Sequence, residues 1–481
     1  MNNKLHYIGY QPFEYQEKAI QFGIDKEKAG LLLFLGSGKT FVSINVARYN
    51  LLYRNCEKVL ITCPTSILWK WKSEIEEQSE FKATVLHGTD SERKLLFKEK
   101  TEFFIINYEV LDKYLPLLDK KQFDMIISDE SSRYIQTATS LRSKAMIHLG
   151  QHPKYKLLLT GTLISKRPLN LWPQFMFLDE GETFGDDYNW FTQMYFKPFE
   201  FKINKWKKIT KWTFKKQYTK HFNDLIYDRC IRITRDDAKM EFPETRSEII
   251  KIKFPKSSEE IYNEILAKTV YEIETDLGKT TVNTKHLFQK LIRLQQITSG
   301  FIGSDSKYVE LKETPKLDRL IEDTEAIVDE DESIIVWCKY LYSIEMISKR
   351  LKDKKIKFIT LTGNDSGKVK DKKWRDFQED INTNVFVGQI KAGGIGLELF
   401  KKYNVKEQTQ HSYIFEQDWE FDGKDQALGR SNRIGQIASC RFVDMIVEDS
   451  IDERIYEVQQ NDRDLAEMLL KNGVENFLKR K

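Results

Sequence analysis

The sequence predicts an α/β fold made of two parallel-sheet lobes in tandem. Within the first 160 residues, short apolar runs such as 58–63, 103–108 and 123–128 alternate with helical stretches, and the alternation resumes at Ser333. This alternation is typical of strands joined by helical crossovers, which form parallel sheets covered on both faces. The length of 481 residues also exceeds what one ordinary core requires, so two or three domains are expected.

Composition limits the kinds of partner. The chain has 77 basic and 73 acidic side chains and a net charge of +4, so any affinity for nucleic acid must come from local patches. Its five cysteines show no CxxC spacing, which argues against a zinc site and favours a reducing compartment. Neither a signal peptide nor an apolar run of about 20 residues is present. We therefore expect a cytoplasmic protein, bacterial or in the host cell if phage-encoded, with no membrane partner.

A glutamine precedes the first predicted strand at the start of a helical pattern. Gln16 is followed by Ala19, Ile20 and Phe22 at helical spacing. Its amide can both donate and accept a hydrogen bond, as recognition of an adenine edge requires. The alternative is an ordinary helix start at the surface.

The glycine-rich segment Gly36–Thr40 follows the apolar run Leu31–Leu35 and precedes a helical pattern. A strand, a tight glycine turn and a helix start direct backbone N–H groups and a positive helix end at one point, which suits phosphate. Lys39 could reach the β- and γ-phosphates, and the Thr40 hydroxyl could hold Mg²⁺. The strict eight-residue phosphate-loop pattern requires glycine at position 33, where this chain has Leu33. The alternative is a glycine-rich turn with a solvated lysine.

Two carboxylates follow the apolar strand predicted at 123–128. In a parallel sheet, ligands bind at the carboxyl ends of strands, where both Lys39 and the pair Asp129-Glu130 fall. Asp129 could hold the hydration shell of Mg²⁺, and Glu130 could orient and deprotonate an attacking water. The alternative is a solvated pair at a strand exit.

A further buried strand ends in small hydroxyl residues at Thr160 and Thr162. Threonines at a strand tip can bond a catalytic carboxylate and a neighbouring group, so they could couple two sites. Capping of a turn is the alternative.

The segment 197–220 is strongly basic, with nine lysines against the single acidic residue Glu200, and it is interleaved with aromatic residues. Lysines neutralise phosphates, while aromatic rings stack on bases or pack under lysine stems. This pattern predicts nucleic-acid contact, for which we select Lys207, Lys208 and Lys211. A solvated charged face is the alternative.

The remaining chain divides into two further segments. The first lobe is predicted over 1–245, with a basic insertion at about 180–245, and residues 246–314 read as a helical connecting segment that ends in a polar linker. The second lobe is predicted over 315–481. Near its end, Arg430 and Arg433 are three residues apart and would share one helix face, which suits a triphosphate but also a surface salt-bridge face.

In this order, the segments resemble helicase superfamily two. Within it they resemble the Swi/Snf-like double-stranded DNA translocases, in their compact bacterial or phage-type form related to the DEAD/DEAH-box helicases. Gln16 is similar to the adenine-reading motif, Gly36–Thr40 to the first motif, and Pro64–Leu68 with Trp71 to the second. Residues 129–132 stand where the family has an Asp-Glu-x-His box, with Ser132 in place of the histidine.

Later segments extend the resemblance over about residues 10–460. Residues 159–162 followed by Leu171-Trp172 look like the third motif, and residues 392–397 look like the fifth. Asp418-Trp419 with residues 426–436 is similar to the sixth motif, which is the most specific segment of the chain.

The resemblance implies two RecA-like lobes that bind ATP and Mg²⁺ between them. The implied catalytic residues are Lys39, Asp129, Glu130, Arg430 and Arg433, with Thr40 and Asp129 as metal ligands. The implied nucleotide-binding residues are Gln16, Gly36, Ser37, Gly38, Lys39 and Thr40. The implied DNA-binding residues are Pro64, Thr65, Thr160, Gly393 and Gly394, in addition to Lys207, Lys208 and Lys211, which the basic pattern predicts.

The resulting expectation is a DNA-dependent ATPase that moves along duplex or branched DNA with little sequence preference. Such movement could drive branch migration or remodelling in replication, repair or recombination. One alternative is a strand-separating helicase of the same superfamily. Another is a DNA-binding scaffold whose altered loop no longer turns over ATP.

Overall fold

The computed structural model describes residues 5–161, 168–202, 208–239, 243–277, 284–304, 307–393, 399–401, 408–418 and 436–460. The chain divides into two compact units, Met1–Glu241 and Phe242–Lys481. Each unit contains its own parallel sheet. This arrangement confirms the predicted α/β fold with two parallel-sheet lobes in tandem.

The first unit is built on a seven-stranded sheet in which each neighbouring pair of strands is parallel. The strands of this unit are β1 (Lys28–Leu33), β2 (Val59–Cys63), β3 (Ala83–Val85), β4 (Phe103–Asn107), β5 (Met125–Asp129), β6 (Tyr155–Thr160), the antiparallel hairpin β7 (Phe196–Lys202) and β8 (Lys208–Phe214), and β9 (Cys230–Ile233). The sheet order is β3-β4-β2-β5-β6-β1-β9. The strands β2, β4, β5 and β6 are buried at every position, because helices cover both faces of a parallel sheet.

The helices of the first unit connect these strands. They are α1 (Glu14–Lys26), α2 (Lys39–Tyr53), α3 (Leu68–Gln78), α4 (Asp90–Leu96), α5 (Leu111–Lys121), α6 (Ser131–Tyr134), α7 (Leu141–Leu149), α8 (Leu171–Asp179), α9 (Tyr188–Tyr195) and α10 (Thr219–Arg229). Because β1 and β2 are separated by β5 and β6 in the sheet, the chain crosses over two strands through α2 before it returns. Such a reversal in strand order places a ligand-binding crevice at the carboxyl edge.

The hairpin β7–β8 lies within the predicted basic insertion and is fixed at its base by aromatic packing. Phe196 is 2% exposed, and its ring centroid lies 5.5 Å from that of Phe214 on the opposite strand. Phe214 in turn packs against Phe222 of α10 at 4.9 Å. The hairpin is therefore attached to the core of the first unit at one end.

The second unit contains a six-stranded parallel sheet. Its strands and those of a separate antiparallel hairpin are β10 (Thr245–Ile252), β11 (Phe301–Ser304), β12 (Lys307–Glu310), β13 (Ser333–Cys338), β14 (Phe358–Leu361), β15 (Val385–Gln389), β16 (Thr409–Ile414) and β17 (Ser439–Val447). The order in the sheet is β10-β17-β16-β13-β15-β14, and β11 pairs with β12. The helices are α11 (Lys256–Leu277), α12 (Thr284–Thr298), α13 (Pro315–Asp329), α14 (Leu341–Asp353), α15 (Gly367–Glu379), α16 (Ile390–Gly393) and α17 (Ile451–Gln460).

The segment 246–314 differs from the helical connector expected for it. It contains α11 and α12, but almost all of β10 also lies in it, and β10 pairs with β17 along eight residues of the second sheet. The polar stretch expected to be a linker contains β12. Both strands were missed because most of their residues are exposed, so the alternation of apolar and polar residues that marks a half-buried strand is weak.

The structure contains no membrane-spanning candidate: among the described residues, every helix is too short or too polar to cross a bilayer. All five cysteines are buried, and none of them forms a disulfide.

Candidate functional site

The glycine-rich loop connects β1 to α2 and depends on two glycines with left-handed backbone. Gly36 has φ +82° and Gly38 has φ +77°, a region that costs other residues energy because of the Cβ atom. Space is also limited at Gly38, since a Cβ there would lie 2.5 Å from the Nε2 atom of Gln16. The helix α2 begins directly after it, at Lys39.

Leu33, the departure from the strict phosphate-loop pattern, lies in the strand and not in the turn. It is the last residue of β1, is fully buried, and is aligned with Ile233 of β9. Its side chain therefore belongs to the core, while the residues that curl around the loop retain their glycines. The departure therefore replaces a strand residue and none of the glycines of the turn.

Gln16 and Tyr15 brace this loop from α1. The Gln16 Nε2 atom donates to the Ser37 carbonyl oxygen at 2.9 Å, and the Tyr15 hydroxyl donates to the same oxygen at 2.8 Å. The Gln16 Oε1 atom accepts from the Phe13 backbone N–H at 3.0 Å. The amide thus joins the helix start to the loop, and recognition of adenine by Gln16 stays a prediction.

Replacement of Gly38 by alanine should weaken nucleotide binding. The added methyl group forces a left-handed alanine, at about 1–2 kcal/mol, and displaces the Gln16 amide that bonds Ser37. We expect an affinity for a fluorescent ATP analogue about tenfold or more below wild type, because 1.4 kcal/mol corresponds to a factor of ten.

Gly150→Ala is a suitable control for Gly38→Ala, because it also introduces a close contact, 2.6 Å from the Phe177 carbonyl oxygen, but lies at the end of α7. Wild-type nucleotide affinity in Gly38→Ala would contradict the role of the loop.

Asp129 and Glu130 occupy the carboxyl end of β5. Asp129 is 6% exposed, and its two carboxylate oxygens accept hydrogen bonds from the Trp71 indole at 3.0 Å and from the Glu130 backbone N–H at 2.9 Å. Burial raises the pKa of Asp129 to about 7, with a further rise from the Glu130 carboxylate, whereas Lys39 and the two hydrogen bonds lower it. Glu130 has φ +51° and is half-buried at the turn into α6.

The structure brings the loop lysine and the acidic pair together. Lys39 is near enough to Asp129 for its ammonium group to lower the pKa of that carboxyl, and its Nζ atom donates to the Leu33 carbonyl oxygen at 3.3 Å. Because β6 alone separates β5 from β1 in the sheet, the two strand ends lie at the same edge. The site predicted from sequence spacing is thus compact in three dimensions.

Thr160 ends β6, the strand between these two. Its hydroxyl forms a 2.8 Å hydrogen bond with that of Ser132 in α6, and both residues are buried. The pair joins the helix after Asp129-Glu130 to the adjacent strand tip, and the coupling role of Thr160 stays a prediction. Since Thr160 is 1% exposed, its hydroxyl does not face solvent, and direct contact with DNA is not part of our proposal.

Pro64 and Thr65 follow β2 at the same edge. Pro64 is buried and Thr65 is exposed. The Thr65 hydroxyl donates to a Glu109 carboxylate oxygen at 3.2 Å, and the Asn107 amide donates to the same oxygen at 2.7 Å. Thr65 is therefore accessible to a ligand at this edge of the sheet.

The ligand set at this edge fits magnesium. Thr40 at the first turn of α2 and Asp129 at the end of β5 supply a hydroxyl and a carboxylate, the oxygen ligands that Mg²⁺ prefers. Among the described residues, no group of three or more His, Cys, Asp or Glu side chains could hold a metal alone.

Several predicted site residues lie wholly or partly outside the described part of the chain. Arg430, Arg433, Lys207 and Gly394 lie outside the described residues. Gly393 ends α16, and Lys208 and Lys211 lie in β8, with their backbone described but not their side chains.

Sequence reasoning missed the contacts of Trp71 and Tyr15 with the site. Trp71 was recognised only as part of a motif, and its hydrogen bond to Asp129 joins residues 58 positions apart. Helical spacing could have predicted that Trp71 is buried, but it contains no information about the acceptor.

Comparison with known proteins was made for sequence and for structure. The family model of the SNF2-related domain matches residues 15–300, more than half of the chain. A Mycoplasma pneumoniae protein described as an uncharacterized ATP-dependent helicase is 25% identical over 475 residues, covering 96% of this chain and 42% of that protein. The nuclear protein STH1/NPS1 of Saccharomyces cerevisiae is 24% identical over 477 residues, covering 91% of this chain and 33% of that protein.

The solved structures include the Sulfolobus solfataricus SWI2/SNF2 ATPase core in complex with dsDNA, with 20% identity, a TM-score of 0.46 and full coverage of both chains. This chain spans between 33% and 42% of the length of the first three curated relatives.

Proposed function

The chain belongs to the SNF2-related family, and from this premise we propose that it is an ATP-dependent translocase that moves along duplex or branched DNA. The observation that carries the proposal is the convergence of Lys39 with Asp129-Glu130 at the carboxyl edge of one parallel sheet. A phosphate loop beside a carboxylate pair, one member buried and the other half-buried, is suited to hydrolysis of a nucleoside triphosphate.

Each residue of this edge has a proposed role in hydrolysis. Backbone N–H groups of the Gly36–Thr40 loop and the Lys39 ammonium bind the phosphates. Glu130 accepts a proton from the attacking water and orients it. Thr40 and Asp129 would hold Mg²⁺, which when bound supplies positive charge to the β- and γ-phosphates.

Arg430 and Arg433 complete the proposed machinery. Guanidinium groups that stabilise the negative charge on the phosphoryl group in the transition state increase the rate of hydrolysis by about 10³- to 10⁵-fold. We propose this role for the two arginines on the basis of their three-residue spacing and their family motif.

DNA contact is proposed at two places in the first unit. Thr65 is exposed at the edge that holds the nucleotide site, and the hairpin β7–β8 is basic and aromatic in composition. Contacts of lysine with phosphate contain no base information, so weak sequence preference and strong salt dependence are expected. Movement along branched DNA would drive branch migration or remodelling in replication, repair or recombination.

Neutralising Lys207, Lys208 and Lys211 together should weaken DNA binding. Each lysine–phosphate contact that is removed makes the slope of log K against log salt concentration shallower by about 1. The slope for the triple glutamine variant should therefore be shallower than that of wild type by up to about three. The measurement is duplex binding by fluorescence anisotropy at several salt concentrations.

A triple variant of Lys98, Lys100 and Lys120, which are exposed lysines elsewhere in the first unit, provides the control for total charge. An equal loss of DNA affinity and of salt dependence in the two triple variants would refute a specific contact at the hairpin.

The proposal is tested by phosphate release with single-stranded, duplex, forked and four-way-junction DNA. A translocase on duplex or branched DNA is expected to be stimulated most by duplex or junction substrates and to move junctions faster than it unwinds forks. Faster unwinding of a fork would favour the strand-separating alternative. Absence of DNA-stimulated phosphate release would favour the scaffold alternative.

A further inference from the structure

The Trp71 indole contacts the carboxylate to which we assign magnesium. The Trp71 Nε1 atom lies 3.0 Å from the Asp129 Oδ2 atom, and both side chains are buried, at 1% and 6% exposure. The second oxygen, Oδ1, accepts from the Glu130 backbone N–H at 2.9 Å. Two donors from different parts of the chain therefore hold the two oxygens of one carboxylate.

We propose that Trp71 is a positioning residue that fixes the orientation of the Asp129 carboxylate for metal binding. The proposal rests on the proposed function, because it requires Asp129 to hold Mg²⁺. A carboxylate has about four lone-pair positions, and the two protein donors occupy one on each oxygen. These two hydrogen bonds block rotation about the Cβ–Cγ bond of Asp129. The remaining lone pairs therefore point in one direction before any metal binds.

The position of the indole is itself fixed by the packing of α3. Leu68, Trp71 and Ile75 are spaced three and four residues apart, so they share one helix face, and all three are at most 1% exposed. A helix anchored on both sides of Trp71 leaves the ring little freedom. Donors placed this rigidly behind a metal ligand orient that ligand, and their loss typically reduces metal affinity about 10- to 100-fold.

Asp129 is also held through its backbone. The Tyr108 hydroxyl donates to the Asp129 carbonyl oxygen at 2.6 Å. With the backbone fixed by Tyr108 and one carboxylate oxygen fixed by the adjacent Glu130 N–H, the indole is the donor that constrains the remaining oxygen.

A buried indole does not need a carboxylate as its partner. Trp337 in β13 is fully buried, and its Nε1 atom donates to the neutral Ser412 hydroxyl at 3.2 Å. Trp337 thus satisfies its N–H without a charged group. It provides a matched control, because Trp337→Phe removes a buried indole N–H of the same kind away from Asp129.

The test is a magnesium titration of nucleotide binding by the full chain without DNA. In Trp71→Phe, the Mg²⁺ concentration that half-saturates the enhancement of fluorescent ATP-analogue binding should rise about tenfold or more. Its affinity for the analogue in EDTA should stay within about twofold of wild type. Trp337→Phe should match wild type in both measurements.

A second variant separates lost packing from the lost hydrogen bond. Replacing Trp71 with β-(3-benzothienyl)alanine keeps the size and shape of the ring and substitutes sulfur for the N–H group. It should show the same shift in Mg²⁺ dependence as Trp71→Phe. Wild-type Mg²⁺ dependence in this folded variant would overturn the proposal, as would an equal loss of affinity with and without Mg²⁺.

Failure of the proposed function gives a different result. If the wild-type chain itself binds no nucleotide, or binds it with no dependence on Mg²⁺, the assignment of the metal site is overturned and the role of Trp71 with it. A wild type that responds to Mg²⁺ beside a Trp71 variant that responds equally overturns the role of Trp71 alone.

Discussion

Replacing Glu130 with glutamine is expected to lower DNA-stimulated ATP hydrolysis by about 10²- to 10⁴-fold, the usual contribution of a general base. Nucleotide binding should stay close to wild type, because glutamine keeps the size of the side chain. The backbone N–H that Glu130 donates to Asp129 is also unaffected by the substitution. The measurements are phosphate release at saturating duplex DNA and equilibrium binding of a fluorescent ATP analogue.

A control for Glu130→Gln must share its unusual backbone. Glu27 also has a left-handed conformation, with φ +56° against +51° for Glu130, and it lies just before β1 at the opposite edge of the sheet. Glu27→Gln should hydrolyse ATP like wild type. Wild-type turnover in Glu130→Gln would remove Glu130 from the proposed mechanism and leave the water without an assigned base.

Replacing Lys39 with alanine is expected to abolish hydrolysis through loss of nucleotide binding. A hydrogen bond to a charged group contributes about 1.5–3 kcal/mol, so affinity for the ATP analogue should fall about 10- to 150-fold. Lys39 also lowers the pKa of Asp129, so its removal takes away the positive charge that offsets the buried carboxylate. Binding and phosphate release together distinguish this variant from Glu130→Gln, which binds but does not hydrolyse.

Lys28→Ala is the matched control for Lys39→Ala. Lys28 begins β1, the strand that leads into the glycine loop, at the opposite edge of the sheet, and it forms ion pairs with Glu180 and Glu182 at 3.0 and 3.6 Å. Loss of these exposed pairs should have little effect on nucleotide binding, since such pairs contribute about 0–1 kcal/mol. Undiminished ATP binding by Lys39→Ala would show that the glycine loop is not the phosphate site.

Local patterns in the chain were sufficient to predict the buried central strands of the first sheet. The apolar runs 58–63 and 103–108 correspond to β2 at Val59–Cys63 and β4 at Phe103–Asn107. The glycine segment lies between a strand and a helix, and Asp129 ends a strand, as expected. These predictions succeed because burial on both faces of a parallel sheet requires continuous apolar runs, and strand exits require turn residues.

Contacts between distant residues could not be predicted in the same way. The exposed edge strand β10 was missed because edge position removes the apolar pattern. Ser132 was interpreted only as a departure from the family motif, yet its hydroxyl bonds Thr160, 28 positions away.

The amino-acid sequence alone determined the buried strands β1, β2, β4, β5 and β6 of the first sheet, the position of the glycine turn, and that a carboxylate pair follows a strand. Only the tertiary structure decided that β6 separates β5 from β1, that Trp71 donates to Asp129, and that Leu33 belongs to the strand core. The physical reason is that periodicity reports how a residue is buried relative to its near neighbours. The partner of a buried polar group depends instead on the order in which the crossovers arrange the strands.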